Sequence, residues 1–178
     1  MCPPLILTLK LDASAFGVLD ELRRQHFPPE RNFLSAHITL FHKLPGEHEQ
    51  AIRHTLQPLC MNTAVMEVSF PALRFLGKGV AVELECPALL QLRRQLAVEW
   101  NAWLSAQDRQ GYRPHVTIQN KVLPEQARRL YDQLKGDWQT LAAHGEGLLL
   151  WRYLNGPWEL VQEFSFGDSV AVDVSVSP

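Results

Sequence analysis

Two short segments of the sequence combine an imidazole and a hydroxyl at the same spacing: residues 37–39 read His-Ile-Thr and residues 115–117 read His-Val-Thr. In a β-strand, residues i and i+2 point to the same face, so each segment would present its histidine beside its threonine. Imidazole has an unperturbed pKa of roughly 6.5, so near neutral pH one ring can accept a proton while the other donates one. Hydroxyl groups can donate hydrogen bonds to oxygens that gain negative charge. This set of groups suits cleavage of a phosphodiester without a metal ion.

The two segments belong to a longer internal repeat. His115 follows His37 by 78 residues, and the same offset separates Arg-Phe-Leu at 74–76 from Arg-Tyr-Leu at 152–154. Chance rarely reproduces a second block at an unchanged offset, so the pattern indicates a duplication that placed one histidine and one threonine in each half. We therefore predict that two motif strands bring four candidate catalytic residues to one shared cleft: His37, Thr39, His115 and Thr117.

Hydrophobic periodicity predicts the same order of elements in both halves: strand, helix, motif strand, helix and hairpin. The motif strands lie near 36–42 and 115–122. Alternating leucines at 5–11 predict the first strand, and Asp12 or Ser14 can cap the helix that follows. These elements predict an α+β fold with mostly antiparallel sheets, helices outside and motif strands inside.

Turn residues mark the two hairpins. In the first half, glycines at 77 and 79 separate two apolar runs, and in the second half Asn155-Gly156 is a strong hairpin signal. Alternating valines after residue 169 predict one further strand. The predicted strands of the hairpins and of the tail are 66–76, 80–85, 147–154, 158–166 and 170–176.

In both motifs the pattern His-x-Thr-aliphatic, the separation of the motifs and the total length resemble the two-histidine (2H) phosphoesterase superfamily. Within it, the chain is most similar to bacterial proteins labelled 2′-5′ RNA ligase or RNA 2′,3′-cyclic phosphodiesterase. The resemblance extends from Leu5 to about Gly167. It implies a single domain over residues 1–178, built as two pseudo-symmetric lobes whose motif strands face a central cleft.

The resemblance also implies an activity: metal-independent hydrolysis of 2′,3′-cyclic phosphates of nucleotides or RNA ends. In that reaction one imidazole deprotonates the attacking water and the other protonates the departing ribose oxygen. By analogy with the family, His37 is the acid and His115 the base, which gives a 2′-phosphate. The reverse steps would join a cyclic phosphate to a hydroxyl, which is 2′-5′ RNA ligation.

Two alternatives stay open at this point. One is a 2H enzyme for another phosphodiester, such as an ADP-ribose cyclic phosphate or an oligoadenylate linkage. The other is a non-catalytic module that binds nucleotides or RNA ends, although such a module has no need of two titrating groups. The loops around 27–32 and 105–114 would set the substrate.

Further residues are candidates for substrate binding. Arg74 and Arg152 are duplicated, and a guanidinium matches the geometry of a phosphate, so either arginine could bind one. Phe41 would share the motif face and could stack on a base. Lys43 and Lys121 lie six residues beyond their histidines, roughly 20 Å along an extended strand, and are expected at solvated turns.

Composition limits the function classes. A net charge of −2 argues against a broad, non-specific nucleic-acid binder. Three cysteines without a CxxC spacing fit reduced thiols in a cytoplasmic protein, and no run approaches the ~20 apolar residues that cross a bilayer. No metal site, cofactor motif or obligate protein partner is predicted, because the remaining histidines form no ligand set and no phosphate-binding glycine loop is present. The expected partner is a substrate with a cyclic phosphate.

Overall fold

A computed structural model describes residues 2–167 of the chain, so the strand predicted at 170–176 lies outside the described residues. Within residues 2–167 there are four α-helices, which are α1 (Ala13–His26), α2 (Glu49–Met61), α3 (Pro87–Glu99) and α4 (Pro124–Asp137). The seven strands are β1 (Leu5–Leu11), β2 (Ile38–Leu44), β3 (Met66–Phe75), β4 (Val80–Glu85), β5 (His115–Gln119), β6 (Leu141–Tyr153) and β7 (Trp158–Ser165).

These strands form one curled antiparallel sheet in the order β2-β1-β6-β3-β4-β5, with β7 also paired to β6. The long strand β6 joins the two halves. One of its edges pairs with β1, and the opposite edge is shared by β3 and β7. The motif strands β2 and β5 are the two ends of the sheet, and the curl brings them into contact with each other. The predicted α+β fold with antiparallel sheets is confirmed.

The core follows from the alternation that the sequence displays. Alternate side chains of β1, such as Leu5 and Leu7, are fully buried, as is Leu150 on the neighbouring strand. The helix after β1 begins where expected, because the Asp12 carboxylate accepts a hydrogen bond from the Ala15 amide at 2.9 Å. Helix α2 packs on β7, and α4 packs on β3 and β4.

Helix α1, from the first half of the sequence, packs on strands of the second half. It packs against β5 and β6, so a helix from the first half supports the motif strand of the second. Helix α3 reaches β2 in the opposite direction through Arg93, whose Nε donates a hydrogen bond to the Leu40 carbonyl oxygen at 2.8 Å. These contacts of α1 with β5 and of α3 with β2 connect the two halves at the ends of the curled sheet.

Several details differ from the sequence-based expectation. The motif strands are Ile38–Leu44 and His115–Gln119, where the sequence pattern predicts 36–42 and 115–122, so His37 lies just before β2. Strand β6 begins at Leu141 rather than at residue 147, because residues 141–145 pair with β3 although alanines and a glycine dilute their strand propensity. In β2 the pairing with β1 shifts between Phe41 and Thr39, so that Leu40 is a bulge. No helix within residues 2–167 is long and apolar enough to span a membrane.

Candidate active site

The contact between β2 and β5 opens on a cleft of about 480 Å³. Its lining includes both histidines and both threonines of the duplicated motifs, together with Arg74. His115 and Thr117 lie opposite Glu83 and Ala81 of β4, and Ala81 lies opposite Arg74 of β3. Arg74 and Thr117 are therefore separated by the small Ala81 in one row of cross-strand neighbours, and both line the cleft. The structure therefore brings together His37, Thr39, His115, Thr117 and Arg74.

The two imidazoles are held in the same way. His37 Nδ1 is 2.8 Å from the Ser35 carbonyl oxygen, and His115 Nδ1 is 2.9 Å from the Arg113 carbonyl oxygen. A carbonyl oxygen can only accept, so each ring carries its proton on Nδ1 and leaves Nε2 free for chemistry. The backbone two residues before each histidine thus fixes the tautomer that a proton acceptor needs.

Burial dominates the electrostatics of both rings. It lowers the pKa of His37 to about 4, although the Ser35 carbonyl opposes the change and the Arg23 guanidinium adds to it. Burial also lowers the pKa of His115; the Arg113 carbonyl opposes the change, the Arg74 guanidinium adds to it, and the Glu83 carboxylate opposes it to a smaller extent. Both imidazoles are therefore neutral in the free protein near pH 7.

Two polar groups in the cleft wall have no partner among residues 2–167. Arg74 Nε and the Tyr112 hydroxyl are buried without a hydrogen bond, and both residues line the cleft. Arg74 Nε is 3.6 Å from the Glu83 carboxylate, which is too far for a hydrogen bond. Buried polar groups without partners are costly, so a ligand that accepts hydrogen bonds would relieve the cost. Tyr112 lies outside the duplicated motifs, so the sequence pattern did not identify it as a residue of the cleft.

Two buried arginines connect the motif strands to the opposite half. Arg23 of α1 donates from Nη1 to the Thr117 carbonyl oxygen at 2.8 Å and from Nε to the Leu34 carbonyl oxygen at 3.0 Å. Arg93 of α3 donates to the Leu40 carbonyl oxygen at 2.8 Å and from Nη2 to the Asp108 carbonyl oxygen at 2.6 Å. Each guanidinium therefore fixes the backbone of one motif strand and of a loop beside the cleft.

These arginines have a sequence signal of their own, which the spacing of the histidine motifs does not reveal. Residues 22–25 and 92–95 both read Leu-Arg-Arg-Gln, which is an offset of 70 rather than 78. In each tetrapeptide the first arginine is buried and the second is exposed. The offset of 78 residues does not reveal this repeat, because the segment between the arginines and the histidine motif is longer in the second half than in the first.

Two of the predicted substrate contacts are wrong. Phe41 is fully buried, because the bulge at Leu40 turns its ring away from the cleft and into contact with Trp100 and the Arg93 guanidinium. Arg152, the duplicate of Arg74, forms a bidentate ion pair with Glu49 at 2.7 and 2.8 Å and is not part of the cleft lining. It supports the start of α2 instead.

The lysines after the motifs take no part in the cleft. Lys43 and Lys121 are both exposed and absent from its lining, in agreement with their assignment to solvated positions. Lys121 has φ of 62°, which is a turn conformation. Within residues 2–167, no three His, Cys, Asp or Glu side chains lie close enough to hold a metal ion.

A second cavity, of about 600 Å³, adjoins the cleft on the His37 side. Its walls are mainly apolar and include Phe16, Phe33 and Trp151. The Trp158 ring lies between the two cavities, 4.7 Å from the His37 ring. The indole of Trp151 is fixed by a hydrogen bond to the Thr8 hydroxyl at 2.9 Å. The arrangement offers flat aromatic surfaces next to a candidate proton-transfer group.

Comparisons with known proteins agree with this architecture. Among solved structures, TT0787 of Thermus thermophilus is 16% identical and superposes with a TM-score of 0.66 over 93% of this chain and 99% of that chain. LigT of E. coli complexed with 3′-AMP is 12% identical, with a TM-score of 0.58 over 94% of this chain and 100% of that chain. At these identities the likeness concerns the fold. A comparison with curated protein sequences gives no match.

The family model described as the 2′-5′ RNA ligase superfamily matches residues 11–157, which include both His-x-Thr motifs and the five strands from β2 to β6. With the curled sheet and the paired motifs in one cleft, this match shows that the chain belongs to the 2′-5′ RNA ligase superfamily of 2H phosphoesterases.

Proposed function

We propose that the protein is a cyclic phosphodiesterase that hydrolyses the 2′,3′-cyclic phosphate of a nucleotide or of an RNA end by two-histidine acid–base catalysis. The observation that carries the proposal is the matched pair of imidazoles, each with its Nδ1 on a backbone carbonyl and its Nε2 free in one cleft. Superfamily membership supports a phosphodiesterase or ligase activity in general.

The reaction needs two proton transfers and no other reactant than water. One neutral imidazole removes a proton from water as its oxygen attacks the phosphorus. The other imidazole, protonated once an anionic phosphate lies between the rings, gives its proton to the ribose oxygen as the P–O bond breaks. The hydroxyls of Thr39 and Thr117 donate hydrogen bonds to the non-bridging oxygens, and Arg74 balances their charge. The product is a phosphate monoester. Exclusion of water from the cleft would favour the reverse, ligating direction.

The apolar cavity beside His37 supports a substrate that carries a flat ring system. Trp158 and Trp151 offer aromatic faces next to the candidate reaction centre, and bases stack readily on such faces. The E. coli LigT structures include complexes with 3′-AMP, NADP⁺ and ATP. A nucleotide therefore fits this cleft better than a small phosphodiester without a base.

The assignment of acid and base has two candidates. The family resemblance implies that His37 is the acid and His115 the base. The surroundings favour the reverse, because burial is the main cause at both rings and lowers the pKa of His37 further, to about 4. The nearby arginines do not separate the rings, since Arg23 lowers the pKa of His37 and Arg74 lowers that of His115. A proton is therefore held more readily on His115.

The function is tested by hydrolysis of the four nucleoside 2′,3′-cyclic monophosphates in excess chelator. We expect turnover by the wild type and its loss in both His37→Ala and His115→Ala, with His54→Ala as a control on an exposed histidine of α2. Turnover that stops with the chelator would contradict the mechanism. Tight nucleotide binding without turnover would instead indicate a non-catalytic binding module.

The roles of the two histidines are separated by a substrate with a phenolate leaving group. A good leaving group needs no proton, so the variant that lacks the acid should lose far less activity on a nitrophenyl phosphodiester than on the cyclic phosphate. The variant that lacks the base should lose similar activity on both. If His115→Ala loses less activity on the nitrophenyl phosphodiester than on the cyclic phosphate, His115 is the acid, as its surroundings indicate.

A further inference from the structure

A third imidazole borders the cleft, and the proposed chemistry does not use it. His42 lies on β2 five residues beyond His37, its side chain is 44% exposed, and it belongs to the cleft lining. Its charge, when the ring is protonated, lowers the pKa of both His37 and His115 as a minor contribution after burial. The ring is therefore close enough to act on whatever the two motif histidines bind.

His42 differs from the motif histidines in the group that its Nδ1 contacts, which is a carboxylate and not a backbone carbonyl. Its Nδ1 is 3.1 Å from the carboxylate of Asp108, whose side chain is 1% exposed. Since a carboxylate only accepts, Nδ1 carries a proton and Nε2 is free for a ligand. A second proton on Nε2 would form an ion pair with Asp108 and make Nε2–H a charge-assisted donor toward an anion.

Asp108 is built to remain a carboxylate. Burial alone would raise its pKa, but hydrogen bonds from the His42 ring, the backbone amides of His42 and Lys43 and the Ser105 hydroxyl lower the pKa to about 2. The three distances to the two amides and the hydroxyl are 2.8, 3.0 and 3.0 Å. The buried Asp108 carboxylate therefore fixes the His42 ring at the edge of the cleft with its Nδ1 occupied and its Nε2 available to a ligand.

The position of His42 separates it from the reacting phosphate. It lies three residues beyond Thr39, or ~10 Å along an extended strand, whereas Thr39 is the hydroxyl expected to bind the reacting phosphate. Arg113, which is 71% exposed and lies just before the opposite motif strand, lines the same cleft, where it forms an ion pair with Glu83 at 2.7 Å. Gln107 and Gln110 of the loop that carries Asp108 line it too.

From this geometry we infer that His42, supported by Asp108, forms a second phosphate-binding site in the cleft, which takes a phosphate of the substrate other than the one being cleaved. The inference rests on the proposed function for the identity of the first phosphate. The second phosphate has two sources with the same chemistry: a 5′-phosphate on the same nucleotide, or the phosphodiester that links it to a neighbouring nucleotide. His42 is then a substrate-binding residue, and Asp108 is a positioning residue.

The test compares substrates with and without a second phosphate. Adenosine 2′,3′-cyclic phosphate has none, adenosine 5′-phosphate 2′,3′-cyclic phosphate has a terminal one, and a diadenosine ending in a cyclic phosphate has a linking one. We expect His42→Gln to lower kcat/KM by about 10- to 100-fold on whichever two-phosphate substrate the wild type prefers, through KM, because one charge-assisted hydrogen bond is lost. On the one-phosphate substrate the loss should stay below about threefold. His54→Gln should change neither.

Binding gives a readout that does not depend on turnover. The affinity for adenosine 3′,5′-bisphosphate relative to 3′-AMP should fall by the same factor in His42→Gln, and by a smaller factor in Asp108→Asn, as measured by calorimetry on variants with a wild-type melting curve. Selective binding without hydrolysis of any cyclic phosphate would keep this inference and reject the proposed function. An equal loss on one- and two-phosphate ligands, or a wild type with no preference for the second phosphate, would overturn the inference.

Discussion

At the scale of single residues, the two motif histidines share their hydrogen-bonding pattern but differ in their surroundings. A backbone carbonyl fixes Nδ1–H on both rings, so the tautomer follows from the local chain and not from the rest of the fold. The pKa depends instead mainly on burial, which has the larger effect at His37, and then on arginines from distant elements, Arg23 near His37 and Arg74 near His115. Symmetric motifs thereby acquire unequal proton affinities.

The lowered pKa of His37 predicts how stability depends on pH. Below about pH 6.5 the unfolded chain binds a proton at this histidine, whereas the folded protein does not bind it until the pH approaches about 4. The unfolded state therefore binds more protons across that window, and the free energy of unfolding falls as the pH falls. We expect His37→Gln to lose less stability than the wild type between about pH 7 and pH 4.5 in urea titrations.

The matched control for that titration is His54→Gln, since His54 is exposed on α2. Its stability should follow the wild-type dependence on pH. Parallel curves for His37→Gln and the wild type would mean that the His37 ring is not held neutral by the fold.

The hydroxyls of the motifs predict a second outcome at this scale. Thr39→Val and Thr117→Val keep the β-branched shape of the side chain and remove only the hydrogen-bond donor. Each should lower kcat on a cyclic phosphate by about 100- to 1000-fold with little change in KM, as does the loss of one donor to a developing oxyanion. Thr140→Val, at an exposed position outside the cleft, is the control. A change confined to KM would assign the hydroxyls to ground-state binding.

At the scale of elements, the cleft depends on two helices that each support the motif strand of the other half. The buried guanidinium of Arg23 bonds to the carbonyl of Thr117, and that of Arg93 bonds to the carbonyl of Leu40. Neither contact is between neighbours in the chain, so the relative position of β2 and β5 is set by side chains as well as by the sheet.

Removal of these guanidinium groups should destabilise the protein and impair the cleft. Arg93→Met keeps much of the volume but leaves the carbonyls of Leu40 and Asp108 without their donor, which should cost about 2–4 kcal/mol in urea unfolding. The adjacent Arg94→Met should cost less than about 0.5 kcal/mol, since Arg94 is exposed. If both variants unfold at the same urea concentration, the contacts of Arg93 contribute nothing to the stability of the fold.

The same comparison applies to the first half with Arg23→Met and its exposed neighbour Arg24→Met. Arg23 bonds to backbone on both sides of the cleft. At a temperature where Arg23→Met is fully folded, we expect its kcat to fall by about tenfold or more, because small displacements of reacting groups are costly. Unchanged kcat would limit Arg23 to a role in stability.

Local patterns in the sequence were sufficient for most elements and for the four motif residues. Alternation and turn residues identified β1, β4 and the Asn155-Gly156 hairpin because those signals involve neighbouring residues. Phe41 was misassigned since a bulge, which depends on pairing with β1, reverses the alternation after Leu40. Arg152 was misassigned because its partner Glu49 is distant in the chain. The contact between His42 and Asp108 had no local signal either, because 66 residues separate the two.

At the scale of the whole molecule, the charge distribution fits the proposed hydrolysis at an RNA end better than binding along an RNA strand. The net charge is −2, and the positive groups near the cleft are few. Single-stranded RNA should therefore engage through the one or two phosphates next to the cyclic end. Contact with two phosphates predicts a slope of log affinity against log salt of about −1.4.

This prediction is checked with RNA ends of increasing length. Beyond about two or three nucleotides, kcat/KM at a fixed salt concentration should stop rising, since no extended basic surface is expected to follow the strand. A slope steeper than about −4, or kcat/KM that keeps rising to about ten nucleotides, would indicate a longer binding track than the cleft.

The central position of β6 has a consequence for synthesis on the ribosome. Strand β1 is almost wholly apolar, yet one of its two edges pairs only with β6, which begins at Leu141. A nascent chain therefore carries an unsatisfied, hydrophobic strand edge until β6 has emerged from the ribosome, and such edges template aggregation. The first half cannot complete its sheet in advance of the second. We therefore expect β1 to complete its pairing only after β6 has been synthesised.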